Sequence, residues 1–113
     1  MKVLYSGSSV FHEVGAAMMV LHRINVAHFE EVEVGEIRFL SEDVSLGEIC
    51  SEVEKKAHPN GSLEIVIDSG LSGREVRSYY HSKANANVVI WSVANAFSCK
   101  VSFGGGGKVR IYE

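Results

Sequence analysis

The sequence predicts an α+β fold: a mixed β-sheet with about three helices packed mainly on one face, and a C-terminal β-hairpin. Three observations lead to this class. The 113 residues are enough for one hydrophobic core and too few for two. Short β-prone runs alternate with runs at helical spacing, in the order β-α-β-β-α-β-α-β-β-β. Because no linker or internal repeat interrupts that order, we expect residues 1–113 to form a single domain.

The first 26 residues carry the strongest local pattern. Residues 2–6 predict a short strand, and residues 7–9 predict the turn after it. Ser8 or Ser9 can then cap a helix that reaches about Asn25. That helix is apolar nearly all round, so we expect it to be covered by the sheet and by more of this chain or a second copy. Its core-facing stripe consists of Phe11, Val14, Met18 and Leu21.

Residues 27–34 and 36–40 predict two strands of a hairpin. The Gly35-Glu36 pair between them is typical of a tight two-residue turn. The resulting register places four apolar side chains on one face and two opposite charges on the other, which supports it. It would pair Val34 with Ile37, Val32 with Phe39 and Glu33 with Arg38.

A capping-box pattern, Ser45 followed by Glu48, predicts a second helix that ends at about Ala57. Glu52 and Lys56 are spaced to form an ion pair on its outer side. Its buried stripe would consist of Leu46, Ile49, Val53 and Ala57, with Cys50 beside them.

Residues 63–68, with the sequence LEIVID, predict an interior strand. A second capping-box pattern at Ser72 and Glu75 favours a helix over residues 73–83. Its inner side would carry Val76, Tyr79, Tyr80 and Lys83. The alternative is that residues 75–81 form a strand paired with 63–68 as a hairpin.

Residues 84–87 are small and polar and predict a loop. The apolar run 88–93 favours a central strand, but periodicity equally allows a buried helix that continues to Phe97. Residues 99–103 and 108–112 predict the terminal hairpin, with residues 105–107 as its loop. In its register Phe103 faces Val109 and Val101 faces Ile111, while Lys100, Ser102, Arg110 and Tyr112 share the opposite face.

Composition favours a protein that associates with other chains. Hydrophobic residues make up 46% and charged residues only 22%, which is low in charge for a small domain and favours a dimer or higher homo-oligomer. The sequence shows no signal peptide and no apolar run long enough to span a membrane, so we expect a cytoplasmic protein. In that compartment Cys50 and Cys99 are expected to be free buried thiols.

The net charge of −3 conceals an acidic stretch. A cluster of carboxylates can attract a basic protein partner, although the simpler interpretation is the solvated side of one hairpin and one helix. The carboxylates are Glu30, Glu31, Glu33, Glu36, Glu42, Asp43, Glu48, Glu52 and Glu54.

Two Ser-Gly loops are the candidate ligand site. The first, residues 6–9, precedes a predicted helix, whose free amides and dipole favour phosphate or carboxylate. The second, residues 68–74, follows another predicted strand, and parallel strands would bring both loops to one edge of the sheet. The simpler interpretation of the first loop is a plain strand-to-helix turn. The candidate ligand residues are Ser8, Ser9, His12, Asp68, Ser72 and Arg74.

Other chemistries have little support in the sequence. The five histidines show no metal-ligand spacing, and the Gly-x-Ser-x-Gly motif of hydrolases is absent, so no metal or cofactor is predicted. Arg74, Arg77 and His81 would lie on the third helix near Lys83 and the tyrosines, where they could contact nucleic-acid phosphate. The sequence contains no larger basic cluster, so nucleic acid is not an expected partner.

Two functions are consistent with these patterns. The favoured one is a small non-enzymatic protein that works by self-association and binding of a partner macromolecule. The alternative is an α/β-like binding protein or small hydrolase for a phosphorylated or nucleotide-like ligand, held by the loops after strands 3–5 and 63–68. The sequence contains no reaction motif that decides whether the protein is an enzyme.

Overall fold

The structure is a computed structural model that describes residues 26–58 and 63–113. The predicted strand at 2–6, its turn and the helix to Asn25 lie outside the described residues. The described helices are residues 26–30 (α1), Leu46–Lys55 (α2) and Ala86–Ala96 (α3), with a 3₁₀ turn at Gly105–Gly107. The strands are Glu33–Val34 (β1), Ile37–Phe39 (β2), Val44–Ser45 (β3), Ala57–His58 (β4), Glu64–Ile67 (β5), Glu75–Val76 (β6), Tyr79–His81 (β7), Ala84–Asn85 (β8), Lys100–Phe103 (β9) and Lys108–Tyr112 (β10).

The predicted α+β class is confirmed. The strands form four short sheets, with the orders β4-β1-β8, β5-β10-β9, β2-β7 and β3-β6. All pairs are antiparallel except β5 with β10, which are parallel. None of the described helices is long and apolar enough to cross a membrane.

The sheet β5-β10-β9 is built around the terminal hairpin, whose predicted register is confirmed. Phe103 pairs with Val109 and Val101 with Ile111, and Gly104 N–H donates to the Lys108 carbonyl at 2.8 Å to close the loop. Because strand side chains alternate, Val101, Phe103, Val109 and Ile111 point to one face, together with Ile65 and Ile67 of β5. Helices α2 and α3 cover that face. On the opposite face, which includes Val66, the side chains are largely exposed within the described part of the chain, and we call it the open face.

Helix α2 forms as predicted. The Ser45 hydroxyl accepts a hydrogen bond from Glu48 N–H at 3.1 Å, and the Glu48 carboxylate accepts one from Ser45 N–H at 2.9 Å. On the outer side, Glu52 lies 3.5 Å from Lys56. The predicted inner stripe, with Cys50 beside it, is buried. The helix ends at Lys55, and Ala57 already belongs to β4.

The hairpin predicted for residues 27–40 is wrong. Residues 26–30 are helical, β1 pairs with β4 and β8, and β2 pairs with β7. At the expected turn, Gly35 N–H donates to the Lys56 carbonyl at 3.1 Å. This bond connects Gly35 to the end of α2 and separates β1 from β2. The apolar pattern was a correct guide to burial, since Val32, Val34 and Ile37 are in the core.

The helix predicted for residues 73–83 is also wrong, because this segment forms β6 and β7. The strand alternative is correct in type, but β6 pairs with β3 and β7 with β2, not with residues 63–68. Tyr79 is buried and Tyr80 exposed, as the two-residue period of a strand requires. Residues 63–68 were predicted to form an interior strand. Among the described strands β5 lies at the edge of its sheet, and Val66 on it is 48% exposed.

Residues 84–97 follow the helical alternative. The expected loop at 84–87 is instead β8 and the start of α3, and the expected strand at 88–93 is part of α3, which Phe97 caps. The helix buries positions at helical spacing and leaves Val88 and Trp91 exposed. The buried positions are Ala86, Val89, Ile90, Val93 and Ala94.

Replacing Ser98 by glycine is expected to stabilise the protein by about 1 kcal/mol. Helix α3 ends in a Schellman motif: Cys99 N–H donates to the Ala94 carbonyl at 2.8 Å and Ser98 N–H to the Asn95 carbonyl at 3.1 Å. This places Ser98 at φ 56°, a left-handed conformation that glycine adopts without steric cost. Urea unfolding measures the change. Ser102→Gly, in strand β9, is the control and should destabilise; equal effects of the two substitutions would contradict the prediction.

The two cysteines are free thiols, as predicted, and differ in accessibility. Cys50 lies on the buried side of α2, and its burial raises the pKa of its thiol to about 12. It therefore stays protonated and unreactive at neutral pH. Cys99 is only partly buried and follows α3.

Candidate functional site

The predicted ligand residues do not gather in one pocket within the described part of the chain. Ser8, Ser9 and His12 lie outside it. The Asp68 carboxylate accepts two hydrogen bonds from Arg110, from Nε at 2.9 Å and from an Nη atom at 2.7 Å. Arg74 instead donates to the Glu113 carboxylate at 2.7 Å. Both charged candidates in the second loop are therefore already paired with other side chains.

The second loop caps helix α2. Leu46 N–H donates to the Arg74 carbonyl at 2.8 Å, and Gly47 N–H donates to the Ser72 carbonyl at 2.9 Å. The capping box satisfies the amides of Ser45 and Glu48. A helix leaves four amides without a partner at its N-terminus, and here all four are bonded. This end of α2 has no free amide for a phosphate.

Gly47 shows why the loop can approach so closely. A Cβ atom at this position would lie 3.3 Å from the Ser72 carbonyl oxygen and 3.4 Å from its Cβ. Glycine lowers helix propensity, so its presence in the first turn of α2 weakened the sequence prediction. The structure supplies the reason: the missing side chain admits the carbonyl that accepts the Gly47 amide.

Ser72 does line a groove with residues of α2. The groove has a volume of about 540 Å³, and its polar side chains include Ser51 and Lys55. Lys55 lies 3.6 Å from Glu52, and its side chain is mostly exposed. Asp68 and Arg74 do not line this groove, so it contains one of the three described candidate residues.

The Asp68–Arg110 pair makes stability depend on pH. The hydrogen bonds from Arg110 lower the pKa of Asp68 from its ordinary value of 3.8. A lowered folded-state pKa means that the pair stabilises the fold above the unfolded-state pKa and loses that contribution as the pH falls through the folded-state value. We expect Arg110→Gln to reduce stability more at pH 7 than well below pH 4, as measured by urea unfolding at both pH values, because only the pairing with Asp68 is lost in acid. An equal loss at both would contradict the prediction.

The acidic stretch is largely engaged in local contacts. Glu33 pairs with Lys83, Glu36 accepts from the Tyr80 hydroxyl, and Glu54 accepts from Ile65 N–H. Glu48 caps α2 and Glu52 pairs with lysines. Of the nine carboxylates from Glu30 to Glu54, those with no such partner among the described residues are Glu30, Glu31, Glu42 and Asp43.

The basic face predicted for the third helix does not form. The alignment of Arg74, Arg77 and His81 required a helix, but Arg74 and Arg77 lie in irregular segments and His81 lies in β7. On the open face of the sheet, Arg110 stacks over Tyr112 with 4.9 Å from the guanidinium carbon to the ring centroid. A shallow cavity of about 280 Å³ beside them includes Val66, Ser102 and Lys108.

No metal site is formed by the residues the structure describes. No three His, Cys, Asp or Glu side chains among them come together in a group that could hold an ion. His81 Nδ1 contacts the carbonyl of Ser82 at 2.7 Å, and the His28 ring packs edge-on against Phe29.

The feature that sequence reasoning missed is the outer face of α3. Val88 is 47% exposed and Trp91 46% exposed, one helical turn apart on the same side. Trp91 also contacts Phe103, with 5.5 Å between ring centroids, so its ring is held by the core while its outer surface meets solvent. Residues 86–96 contain no charged residue, and this absence could have predicted the face. It was overlooked because a buried strand needs no charged residue.

A groove lies next to this face, between the C-terminal half of α3 and the sheet. Its volume is about 330 Å³. The residues that line it are mainly apolar and include Trp91, Ala94, Asn95, Cys99, Val101 and Tyr112, with Lys100 beside them. We call Val88, Trp91 and Asn95 together with this groove the α3 surface.

The chain matches no protein-family model, and neither the curated proteins nor the solved structures contain a significant match to it.

Proposed function

We propose that this protein is a non-enzymatic binding module that acts by self-association through the α3 surface. The observation that carries the proposal is the pair of exposed side chains Val88 and Trp91 on a helix without a charged residue. Helices at a protein surface normally carry charged or polar residues on their outer side. A face that lacks them, with a tryptophan at its centre, is typical of a protein interface.

A second copy fits this face better than a charged partner. A two-fold interface places the same patch of both copies in contact, so the patch must be complementary to itself. The α3 surface meets that condition because its exposed helical positions carry no like charges that would repel. A helix of this length covers less than the roughly 800 Å² per partner of a standard interface. We therefore expect a weak dimer that forms at high protein concentration.

The proposed setting is the cytoplasm. Free thiols such as Cys50 and Cys99 remain reduced there. A further protein partner is part of this proposal: Glu30, Glu31, Glu42 and Asp43 are available to a basic surface.

The sequence offered a second candidate, a phosphorylated or nucleotide-like ligand. Its support is the groove lined by Ser72, Ser51 and Lys55. Its weakness is that Asp68 and Arg74 are paired elsewhere and the amides of α2 are all bonded. The first loop, with Ser8 and Ser9, lies outside the described residues, so this candidate stays a proposal.

The experiment that tests self-association uses the single tryptophan as its reporter. Sedimentation equilibrium over a wide concentration range should show a monomer–dimer equilibrium, and Trp91 emission should shift to shorter wavelength as the dimer forms. Val88→Asp keeps the tryptophan and places a charge on the α3 surface, so it should weaken association by about tenfold or more. Leu40→Asp is the matched control, because Leu40 is 48% exposed and lies outside α3.

A monomer at all concentrations would overturn the proposal. So would a dimer that Val88→Asp and Leu40→Asp weaken equally. Native mass spectrometry of the same sample checks the second candidate, since a bound phosphate or nucleotide that is lost on Lys55→Ala would favour it.

A further inference from the structure

Strand β5 has one edge that none of the described strands covers. It stands at the end of the order β5-β10-β9, so within the described part of the chain only one of its sides is paired. Asp68 N–H donates to the Ile111 carbonyl at 3.0 Å, toward β10. Because successive amides of a strand point in opposite directions, the amides of Ile65 and Ile67 point away from β10, toward the uncovered edge.

The composition of this edge favours the addition of another strand. Residues 64–67 read EIVI, so three of the four are β-branched aliphatic residues, and Val66 is 48% exposed. A short strand of this kind, with unpaired backbone groups at its edge, is a template for pairing with another chain. Proteins prevent such pairing by placing a charged side chain or another element against the edge.

A charged side chain lies against this edge. Glu54, in the last turn of α2, accepts a hydrogen bond from Ile65 N–H at 2.7 Å. Its carboxylate oxygen therefore occupies the position that a carbonyl of an added strand would have to take. A bond to a carboxylate is also stronger than the neutral bond that such a strand would offer. The Ile67 amide points the same way, and no described residue accepts from it.

We propose that Glu54 is an autoinhibitory residue that blocks strand addition at β5, and that its removal lets β5 pair antiparallel with β5 of a second copy. This inference goes beyond the proposed function and does not depend on the α3 surface. A second copy is the partner because the edge is complementary to itself: in an antiparallel pair, aliphatic side chains of one strand lie beside those of the other.

The direction of the free amides fixes the register. A two-fold axis at Val66 pairs Ile65 of one copy with Ile67 of the other, so that all outward amides are bonded. The two Val66 residues then face each other at a non-hydrogen-bonded position, with about 4.5 Å between their Cα atoms. Glu64 lies opposite Asp68 of the other copy, and Arg110, already bonded to Asp68, offsets the repulsion.

The test uses the Val88→Asp background, in which association through the α3 surface is weakened. There, Glu54→Ala should lower the dimer dissociation constant by about tenfold or more, as measured by sedimentation equilibrium. Glu52→Ala is the matched control, because Glu52 lies on the same helix and pairs with lysines rather than with β5. Glu54→Gln keeps an oxygen that can accept from Ile65 N–H, so it should associate no more than the background.

A cysteine at position 66 reports the register. With Val66→Cys added to Glu54→Ala, oxidation by copper–phenanthroline should join position 66 of one copy to position 66 of the other, because their Cα separation suits a disulfide. With Glu54 in place, the same cross-link should form about tenfold more slowly or less. Peptide mapping distinguishes this link from any through Cys99, which is partly exposed.

Hydrogen exchange tests the block in the unaltered protein and requires no variant to fold. At low protein concentration the Ile65 amide should exchange slowly and the Ile67 amide rapidly. Equally rapid exchange of both would show that Glu54 does not hold the edge. A protected Ile67 amide would show that another segment already covers the edge, for example the strand predicted at residues 2–6. Either result overturns the inference.

The outcomes separate this inference from the proposed function. If Glu54→Ala associates no more than Glu52→Ala, or if its dimer gives no link between the two positions 66, strand addition at β5 is overturned. The proposed function is unaffected, because it is judged by Val88→Asp in the protein that retains Glu54. Conversely, a protein with Glu54 that is monomeric at all concentrations overturns the proposed function, while a Glu54→Ala dimer linked at position 66 still supports the block.

Discussion

Phe29→Ala is expected to lower the free energy of unfolding by about 3–5 kcal/mol, the range for deleting a large buried aromatic side chain. Phe29 has no solvent exposure. Its ring lies 5.0 Å from that of Phe103, between centroids, so it joins α1 to strand β9. Truncation removes buried apolar surface and leaves a cavity between α1 and β9. The two elements cannot close this cavity, because β9 is held in its sheet by β10.

Urea unfolding measures this loss, and two controls give it meaning. Phe29→Leu keeps most of the volume and should cost about 1–1.5 kcal/mol. Tyr80→Ala removes an aromatic ring that is half exposed, and should cost well under the Phe29→Ala value. If Phe29→Ala were no worse than Tyr80→Ala, the packing of α1 on β9 would be refuted.

Ile90→Asp is expected to prevent folding under native conditions. Ile90 lies on the inner side of α3 and is 1% exposed. A carboxylate there would be buried with no partner, which costs several kcal/mol, and small domains have only about 5–15 kcal/mol in total. Circular dichroism and the dispersion of amide proton signals should both report an unfolded chain.

The neighbouring positions decide between helix and strand. In a helix, Trp91→Asp and Val88→Asp point to solvent and the protein should stay folded, while Val93→Asp should resemble Ile90→Asp. In a strand, side chains alternate, so positions 91 and 93 would share a face, and aspartate at either position would have the same effect on folding. A folded Ile90→Asp with an unfolded Trp91→Asp would contradict the assignment of α3.

Local patterns predicted which side chains are buried better than they predicted which elements pair. Val32, Val34, Ile37 and Phe39 were predicted to share an apolar face. The first three are in the core and Phe39 packs against it, although Val34 and Ile37 lie in strands of different sheets. Burial follows from the side chain itself, whereas pairing depends on partners far away in the sequence. The terminal hairpin was predicted down to its register because its partner strand is adjacent and its loop is fixed by glycines.

The candidate site illustrates the same limit. Sequence correctly placed Asp68 and Ser72 in a loop after a strand, whereas Arg74 was also assigned to a helix that does not form. It could not show that Arg110 and Glu113 would pair with the charged groups, or that α2 would use the loop's carbonyls. The α3 surface was missed because an apolar run of this length fits a strand as well as a helix. Only the helical assignment places Trp91 on an outer face, away from the buried positions of the run.

The central position of β10 has a consequence for the order of folding. Its register with β5 joins Lys108 to Glu64, which are 108 − 64 = 44 residues apart, so forming this ladder closes a long loop that contains α3. Pairing of β10 with β9 closes a loop of only a few residues. Loop closure costs entropy, so the hairpin should appear early and β5 should join it late, together with α2, which packs against β5. Substitutions in the hairpin should then slow refolding, whereas those in β5 should mainly accelerate unfolding.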